Sequence, residues 1–462
     1  MNRNFFLVCF ILPVHLFAGS STDYDVSFNL IWVLPFVGIL LSIAIFPLVN
    51  NHFWHNNFGK ISAFWALLFS LPFLFKEGIS ISSHWFVHAI FIEYIPFIVL
   101  LLALFTISGG IMIRGNFVGN PKLNLIFLLI GTALASWMGT TGAAMLLIRP
   151  VIRANKWREN KTHVIIFFIF LVANIGGSLT PLGDPPLFIG FLKGIDFFWT
   201  TKYMLMPMIF VSILLLVIFY FIDLYYYKKE IDSSPSLEKI NFSVDGKFNL
   251  LLLVGVIISV ILSGTFKNNL GSIYFLGNEL MFSFILRDIF LILLTVASYK
   301  TTSLSLRKEN GFSWFPITEV AKLFAGIFIT VIPAISILKL DYSSSFSGLS
   351  SSLYFWLTGV LSAFLDNAPT YLVFFTSTNL TAPVLMSDVV TLLAISSGAV
   401  FMGALTYIGN APNFMVRSIS EENKIPMPSF FGYMAWSVAI LVPILVIYSF
   451  LWFYLDIFNF IK

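Results

Sequence analysis

The sequence predicts an all-α polytopic membrane protein made of an inverted repeat. Each repeat has five transmembrane helices plus one re-entrant hairpin, with interrupted helices at a central site. Three observations support this fold class: the composition, the length of the apolar runs, and a repeat at one fixed offset. Hydrophobic residues make up 58% of the 462 residues and charged residues only 10%, whereas soluble proteins carry about 25% charged residues.

Apolar runs long enough to cross a bilayer recur along the whole chain. The predicted spans are 28–48, 58–75, 85–113, 163–193, 204–227, 248–264, 279–299, 312–338, 389–416 and 433–456. Two further stretches, 123–149 and 352–376, carry small and polar residues in their middle. Irregular backbone at membrane depth is tolerated only inside protein or around water, so these two stretches are predicted to be re-entrant hairpins.

The distribution of basic residues supports this arrangement. Of the 26 Lys and Arg residues, six fall in predicted outer loops, three in the leader or within spans, and the remaining 17 in inner loops, as the positive-inside rule expects. Two full spans in place of the hairpins would move the cluster from Arg149 to Lys161 to the outside.

Three separated features repeat at an offset of 226 residues. The sequence MGTTGA at 138–143 aligns with FLDNAP at 364–369, TPLGDPPLF at 180–188 aligns with TYIGNAPNF at 406–414, and Glu93 aligns with Glu319. An odd number of spans in each half puts the halves in opposite orientations, as in many secondary transporters. Chance similarity of apolar segments is the alternative, but the matched residues are mostly polar, Gly or Pro.

Polar residues cluster where the predicted helices break. Glycines and prolines there interrupt the helix and free backbone carbonyls. The candidate ion-binding residues are Thr140 and Thr141 at the first hairpin tip, Asn174, Ser178, Thr180 and Asp184 at the first break, Asp366 and Asn367 at the second tip, and Thr406 and Asn410 at the second break.

Two carboxylates among amides, hydroxyls and carbonyls form an oxygen-only set, which suits a small hard cation better than a transition metal. Burial of a carboxylate in the membrane is costly and favours its protonated form. Competition of a proton and a sodium ion for Asp366 and Asp184 is therefore the simplest coupling mechanism, with Asp366 the stronger candidate. Helix capping is the alternative role for both aspartates, and a structural role is the alternative for the hydroxyls.

Glu93 and Glu319 are coupling candidates because they occupy matching positions near opposite ends of their spans; the alternative for both is an interfacial role. No cofactor and no transition-metal site are expected. The only cysteine is Cys9, so neither a disulfide framework nor a thiolate metal site can form.

At these breaks the sequence resembles the ion transporter superfamily. ANIGGSLTPLGDPPLFIG is similar to the first-half motif of arsenite-permease-like and pink-eyed-dilution-like members, and FLDNAPTYLVFF resembles their second-hairpin motif. The overall pattern resembles the citrate-transport branch and the NhaD-type sodium:proton antiporters. The resemblance implies paired hairpins around a central site, with Asp366, Asn367 and Asp184 at the ion. Dicarboxylate carriers of this superfamily have Ser-Asn-Thr at both tips; the aspartate here would repel such a substrate.

The domain organisation follows from these assignments. Residues 1–21 are predicted to be a cleaved signal peptide, with an uncleaved extra helix as the alternative. Residues 22–227 form the first repeat, 228–247 a cytoplasmic linker, and 248–462 the second repeat. The expected location is a bacterial-type inner membrane. The expected partners are small inorganic ions, an organic anion in the alternative function, lipid, and a second copy of the chain as a homodimer; no nucleic acid is expected.

The functional prediction is secondary active transport, with sodium:proton antiport first and sodium- or proton-coupled transport of citrate or another oxyanion as the alternative. A membrane-embedded enzyme would need a nucleophile–base set or a metal cluster within the spans, and the sequence offers neither. A passive channel is disfavoured, because two broken helices per repeat are typical of alternating access.

The arrangement of spans predicts the sides of two loops. A reporter fused within 150–162 should be cytoplasmic, and one within 377–388 should be extracytoplasmic, because the basic cluster from Arg149 to Lys161 retains the first loop inside. Paired phosphatase and fluorescent-protein fusions measure this directly. Both reporters on one side of the membrane would rule out the arrangement with two hairpins.

Overall fold

The structure of the protein is a computed structural model that describes residues 26–230, 242–267, 269–340 and 349–455. The predicted leader, 1–21, lies outside the described residues, as does most of the predicted linker. The described part of the chain is mainly helical, with four short strands, in agreement with the predicted all-α membrane protein.

Long apolar helices follow one another through the first half of the chain. They are α1 (Leu34–Val49), α2 (Asn51–Val87), α3 (Ile95–Ser108), α4 (Pro121–Met138), α5 (Thr140–Ala154), α6 (Thr162–Leu171), α7 (Pro185–Leu192) and α8 (Trp199–Glu230). A π-helical turn at His88–Tyr94 precedes α3, and a 3-10 turn at Ile175–Leu179 separates α6 from α7.

The second half has the same general plan. Its helices are α9 (Phe248–Thr265), α10 (Phe282–Thr301), α11 (Leu304–Glu309), α12 (Phe315–Thr330), α13 (Ile332–Leu340), α14 (Ser351–Leu365), α15 (Asn367–Ser377), α16 (Ala382–Ser387), α17 (Val389–Met402), α18 (Ala411–Glu422) and α19 (Phe430–Ser449). A 3-10 turn at Gly403–Leu405 separates α17 from α18.

Four strands form two antiparallel pairs outside the apolar helices. Strand β1 (Met112–Arg114) pairs with β2 (Ser243–Asp245), in the register Ile113 to Val244. Strand β3 (Ser272–Phe275) pairs with β4 (Asn278–Met281). The first pair attaches the predicted linker to the end of the third predicted span.

Eight helices in the described ranges are long and apolar enough to cross a membrane, or nine if the bent pair α12–α13 counts as one span. The pair bends by 42°. The predicted span 389–416 corresponds to a shorter apolar helix that breaks after Met402. Helix α4, predicted as one arm of a hairpin, meets the same length and composition criteria as the spans.

Helix α2 contains a chain reversal at Gly78. Its φ of +78° is in the left-handed region that glycine tolerates. Beyond it the Phe86 ring returns to 5.9 Å from the Phe73 ring, whereas a straight helix would separate these residues by about 20 Å. The spans predicted at 58–75 and 85–113 are therefore two separate helical segments. The predicted loop between them is helical apart from the reversal at Gly78.

Both predicted hairpins fold back on a single residue. Gly139 (φ +80°, ψ 147°) joins α4 to α5, and Asp366 (φ +74°, ψ 141°) joins α14 to α15. The two arms of each hairpin run side by side. In the first hairpin, a Cβ on Gly131 of α4 would meet the Leu147 side chain of α5. In the second, Tyr354 of α14 hydrogen-bonds to Ser377 of α15.

The hairpins also correct the alignment of the repeat. Gly139 and Asp366 have the same backbone conformation and are 227 residues apart, so Asp366 corresponds to Gly139, not to Thr140. The breaks retain the offset of 226, since Asp184 and Asn410 are both extended residues that precede a helix. A gap-free alignment could not show this one-residue shift.

The interrupted helix of the first half is at the centre of the protein. In the window from Thr162 to Leu179, 94% of the residues are buried, against 28% in the window from Phe282 to Thr301. Helix α10 is therefore exposed along much of its surface, whereas α6 and the 3-10 turn after it are surrounded by protein.

Sequence analysis missed a buried charged cluster on the predicted cytoplasmic side. The Arg158 guanidinium donates to Asp223 and, over 3.2 Å, to Glu230. His163 Nε2 lies 2.9 Å from Asp223 Oδ1, and Asn124 Nδ2 donates to Asp223 Oδ2 over 2.9 Å. The cluster connects the predicted cytoplasmic end of the first hairpin to α6 and α8.

We expect Asp223→Ala to destabilise the protein strongly. Removing Asp223 leaves the buried Arg158 guanidinium with only Glu230, at 3.2 Å, as an acidic partner, and breaking a buried ion pair costs about 3–5 kcal/mol. A thermal unfolding series on purified protein in detergent measures the effect. Glu309→Ala is the matched control, since its carboxylate pairs with Arg114 at the exposed surface and should shift the midpoint far less. Equal midpoints for the two variants would contradict this account of the cluster.

Candidate ion-binding site in a central cavity

Two broken helices form the centre of the site, and each break folds tightly on itself. A Cβ on Gly183 would lie 2.1 Å from the Gly177 carbonyl oxygen, and one on Gly409 would lie 2.5 Å from that of Gly403. Only glycine allows so close an approach of two backbone segments. The two glycine pairs are 226 residues apart, so both halves build the same turn.

Each break is fastened to the hairpin of its own half by a threonine. The Thr180 hydroxyl donates to the Ser136 carbonyl oxygen and accepts from the Leu182 amide. The Thr406 hydroxyl donates to the Ala363 carbonyl oxygen and accepts from the Ile408 amide. These two predicted ion ligands therefore have structural hydrogen bonds in this conformation.

Asp184 is where the four polar segments meet. It is 1% exposed, and its Oδ1 accepts from Thr140 Oγ1 (3.1 Å) and Asn410 Nδ2 (2.9 Å). Its Oδ2 accepts from Asn367 Nδ2 at 2.5 Å. The first tip, the second tip and the second break thus all donate to the carboxylate of the first break.

A second layer of amides surrounds this contact. Asn174 Nδ2 donates to Asn413 Oδ1 (2.7 Å), and Asn410 Nδ2 lies 3.3 Å from Asn174 Oδ1. Asn413 donates to the carbonyl oxygens of Gly403 (2.8 Å) and Thr406 (2.9 Å). Asn413 is the third polar residue that the sequence places at the second break, with Thr406 and Asn410, in the GNAPN sequence.

One oxygen at the centre has no hydrogen bond within the described part of the chain. Asn367 is fully buried, and while its Nδ2 binds Asp184, its Oδ1 has no donor. A buried acceptor without a partner is costly in a folded protein. This amide oxygen, beside a carboxylate and a hydroxyl, is chemically suited to a hard cation.

Asp366 differs from Asp184 in its surroundings. It is half-buried, its Oδ1 accepts from the Ala368 amide at 3.1 Å, and its carbonyl oxygen accepts from Thr370 Oγ1 at 2.8 Å. The capping role that the sequence allowed is therefore present. The residue also lines the central cavity, so capping does not remove it from the site.

The other predicted residues lie in different places. Thr141 lines the cavity, whereas the Ser178 hydroxyl donates to the Ile175 carbonyl oxygen within its own turn at 2.8 Å. Glu319 lines the cavity and accepts from Trp54 Nε1 at 2.9 Å. Glu93 is not at the cavity and accepts from the Lys193 ammonium.

The cavity has a volume of about 530 Å³ and extends from Asp184 toward one side of the protein. On α3 it is lined by Leu100, Leu101, Leu104 and Phe105, and it also reaches Arg149 of α5 and Glu422, the last residue of α18. The basic-residue distribution predicts that side to be cytoplasmic. The cavity therefore connects the centre of the protein with the predicted cytoplasmic side.

Acidic groups outnumber basic groups on the cavity wall. The charged and titratable residues that line it are Asp184, Asp366, Glu319, Glu422, Arg149 and His55. A low-dielectric cleft lined mainly by one sign of charge concentrates ions of the opposite sign, so this cavity favours cations.

The sequence matches the model of one protein family. The model of a family described as "Putative citrate transport" matches residues 25–453, nearly the whole chain. No curated protein matches the sequence at a significant level.

We expect Gly183→Ala to disrupt the site. Its new Cβ would lie 2.1 Å from a backbone oxygen that cannot move aside, and the break would have to open. Gly255→Ala is the control, because its Cβ would meet only the flexible Leu294 side chain at 3.2 Å. Thermal midpoints and transport rates of both purified variants are the measurement. A Gly183→Ala protein as stable and active as the control would contradict the tight glycine crossing.

Proposed function

The chain belongs to the citrate-transport family and is a membrane transporter, and we propose that it is a sodium:proton antiporter working by alternating access. The observation that carries the proposal is the excess of acidic over basic groups around the cavity, with Asp184 at its inner end. Such a cavity attracts Na⁺ and H⁺ and disfavours an anion.

The state of charge of the two aspartates supports the proposal. Neither Asp184 nor Asp366 has a Lys, Arg or His partner among the ion pairs of the described residues. An isolated buried carboxylate is costly, so it is neutralised by a proton or by a bound cation. The transported ions themselves are then the partners of these carboxylates.

The groups around Asp184 provide the ligands for sodium. Its carboxylate, the Asn367 amide oxygen that lacks a donor, and the Thr140 hydroxyl are all hard oxygens. When sodium binds, the carboxylate must release its proton, and when a proton returns, sodium leaves. One site that holds either ion, never both, performs exchange.

The two halves are proposed to be inverted copies. Matching tip conformations at Gly139 and Asp366, and matching hydrogen bonds of Thr180 and Thr406 to their own hairpins, support one ancestral plan for both. In an inverted pair the halves exchange conformations when the protein changes access. The cavity that opens to one side would then have its counterpart on the other.

Cation-coupled transport of citrate or another oxyanion is the second candidate, and the description of the family favours it. Arg149 and the amides around Asn410 are groups that could bind a carboxylate substrate. Four acidic side chains on the same wall argue against a trivalent anion unless several cations bind with it.

We expect Asp184→Asn and Asp366→Asn each to abolish sodium-driven pH change. The amide retains the shape and cannot exchange a proton for sodium. Purified protein in liposomes with an internal pH dye is challenged with pulses of Na⁺, Li⁺, K⁺ and citrate. Glu93→Gln, outside the cavity, should act more mildly.

The same assay separates the two candidates. Antiport predicts a cation-driven pH signal in wild-type protein without citrate. Coupled anion transport predicts no such signal, together with citrate uptake that needs sodium or protons. Intact exchange in the Asp184→Asn and Asp366→Asn variants, with normal folding and insertion, would refute the proposed site.

A further inference from the structure

Helix α7 links the central carboxylate to the opposite side of the protein. Asp184 precedes its first residue and Lys193 follows its last. The helix has eight residues and is about 12 Å long at 1.5 Å per residue. A short helix moves as a rigid unit, so a displacement at one end reaches the other.

At its far end α7 is attached by an ion pair. Lys193 Nζ donates to Glu93 Oε1, and the carboxylate is largely buried, with 8% of its side chain exposed. His88 Nδ1 lies 3.6 Å from the same oxygen. Glu93 belongs to a π-helical turn, a rare element that is frequent at functional sites.

This pair is on the side where the cavity is closed. The cavity is lined along α3 from Leu100 onward, about two helical turns beyond Glu93. The segment after Lys193 is fastened there as well, because Trp199 Nε1 donates to the Met386 carbonyl oxygen at 3.3 Å. The end of α7 and the segment after it are therefore attached at two points on the predicted extracytoplasmic side.

We propose that the Glu93–Lys193 ion pair is the extracytoplasmic gate of the transporter, with Lys193 as its positioning residue. The proposal rests on alternating access as proposed above and names the contact that must break when the outer side opens. While the pair is formed, α7 is held and the cavity is open only to the cytoplasm. Release of Lys193 frees the end of α7 that leads from Asp184.

Accessibility of a cavity cysteine tests the gate without knowledge of the transported ion. Cys9→Ser removes the only cysteine of the chain, and Ser418→Cys then places a reporter on the cavity wall. In inside-out vesicles an impermeant maleimide labels this reporter from the cytoplasmic side. Lys193→Met and Glu93→Gln should each slow the labelling about tenfold, because the inward-open population should fall to about one tenth of the molecules.

The charge-reversed pair, Glu93→Lys with Lys193→Glu, should restore the wild-type labelling rate. Lys202→Met is the matched control, since Lys202 lies on the same side over the Tyr203 ring and should leave labelling unchanged. Ser305→Cys, an exposed reporter away from the cavity, should react equally in every variant. Unchanged labelling of Ser418→Cys in both single variants would overturn the gate.

A reversible cross-link gives a second, independent test. Glu93→Cys with Lys193→Cys, joined by a bifunctional methanethiosulfonate, should stop transport, retain fast labelling of the cavity reporter, and recover after reduction. Continued transport by the cross-linked protein would refute the gate. If the liposome assay shows citrate uptake in place of exchange while labelling behaves as expected, antiport fails and the gate stands.

Discussion

The carboxylate of Asp184 is the group on which the arrangement of the protein depends. It is buried at the centre of a membrane protein and accepts hydrogen bonds from Thr140, Asn367 and Asn410, which belong to three other segments. These bonds hold the two halves of the chain around one point. Because no basic side chain pairs with the carboxylate among the described residues, a proton or a cation is the neutralising partner that the proposed antiport supplies.

The backbone around this carboxylate is held by short contacts that leave little freedom. Gly177 with Gly183, and Gly403 with Gly409, bring backbone segments to distances that a Cβ would prevent. Threonine hydroxyls fasten each break to its own hairpin. Among the residues predicted to bind the ion, Ser178, Thr180 and Thr406 therefore stabilise the breaks, while Thr140, Asn367 and Asn410 donate to Asp184.

The two candidate coupling glutamates illustrate how one sequence pattern leads to two environments. Glu319 lies on the wall of the open cavity beside Trp54, and Glu93 forms an ion pair with Lys193 on the closed side. In a protein open to one side, equivalent positions of the two repeats cannot have the same surroundings. This difference in surroundings is the one that the proposed alternating access predicts.

Much of the fold follows from sequence patterns alone. Apolar length predicts the spans, Gly and Pro within apolar runs predict the breaks at Asn174–Pro186 and after Met402, and polar residues at those breaks predict the neighbourhood of the site. These signals are local: each depends on the conformational limits of a few consecutive residues, which a sequence displays directly.

Which of these polar groups meet was decided only by the tertiary structure. The sequence favoured Asp366, yet Asp184 is the carboxylate that receives donors from both hairpin tips, and Asp366 caps α15 at the cavity wall. The Arg158–Asp223 and Lys193–Glu93 pairs depend on contacts between residues 65 and 100 positions apart along the chain, and the one-residue shift at the tips shows only in the backbone conformations of Gly139 and Asp366. Such contacts are fixed by how whole helices pack, and no spacing along the chain encodes them.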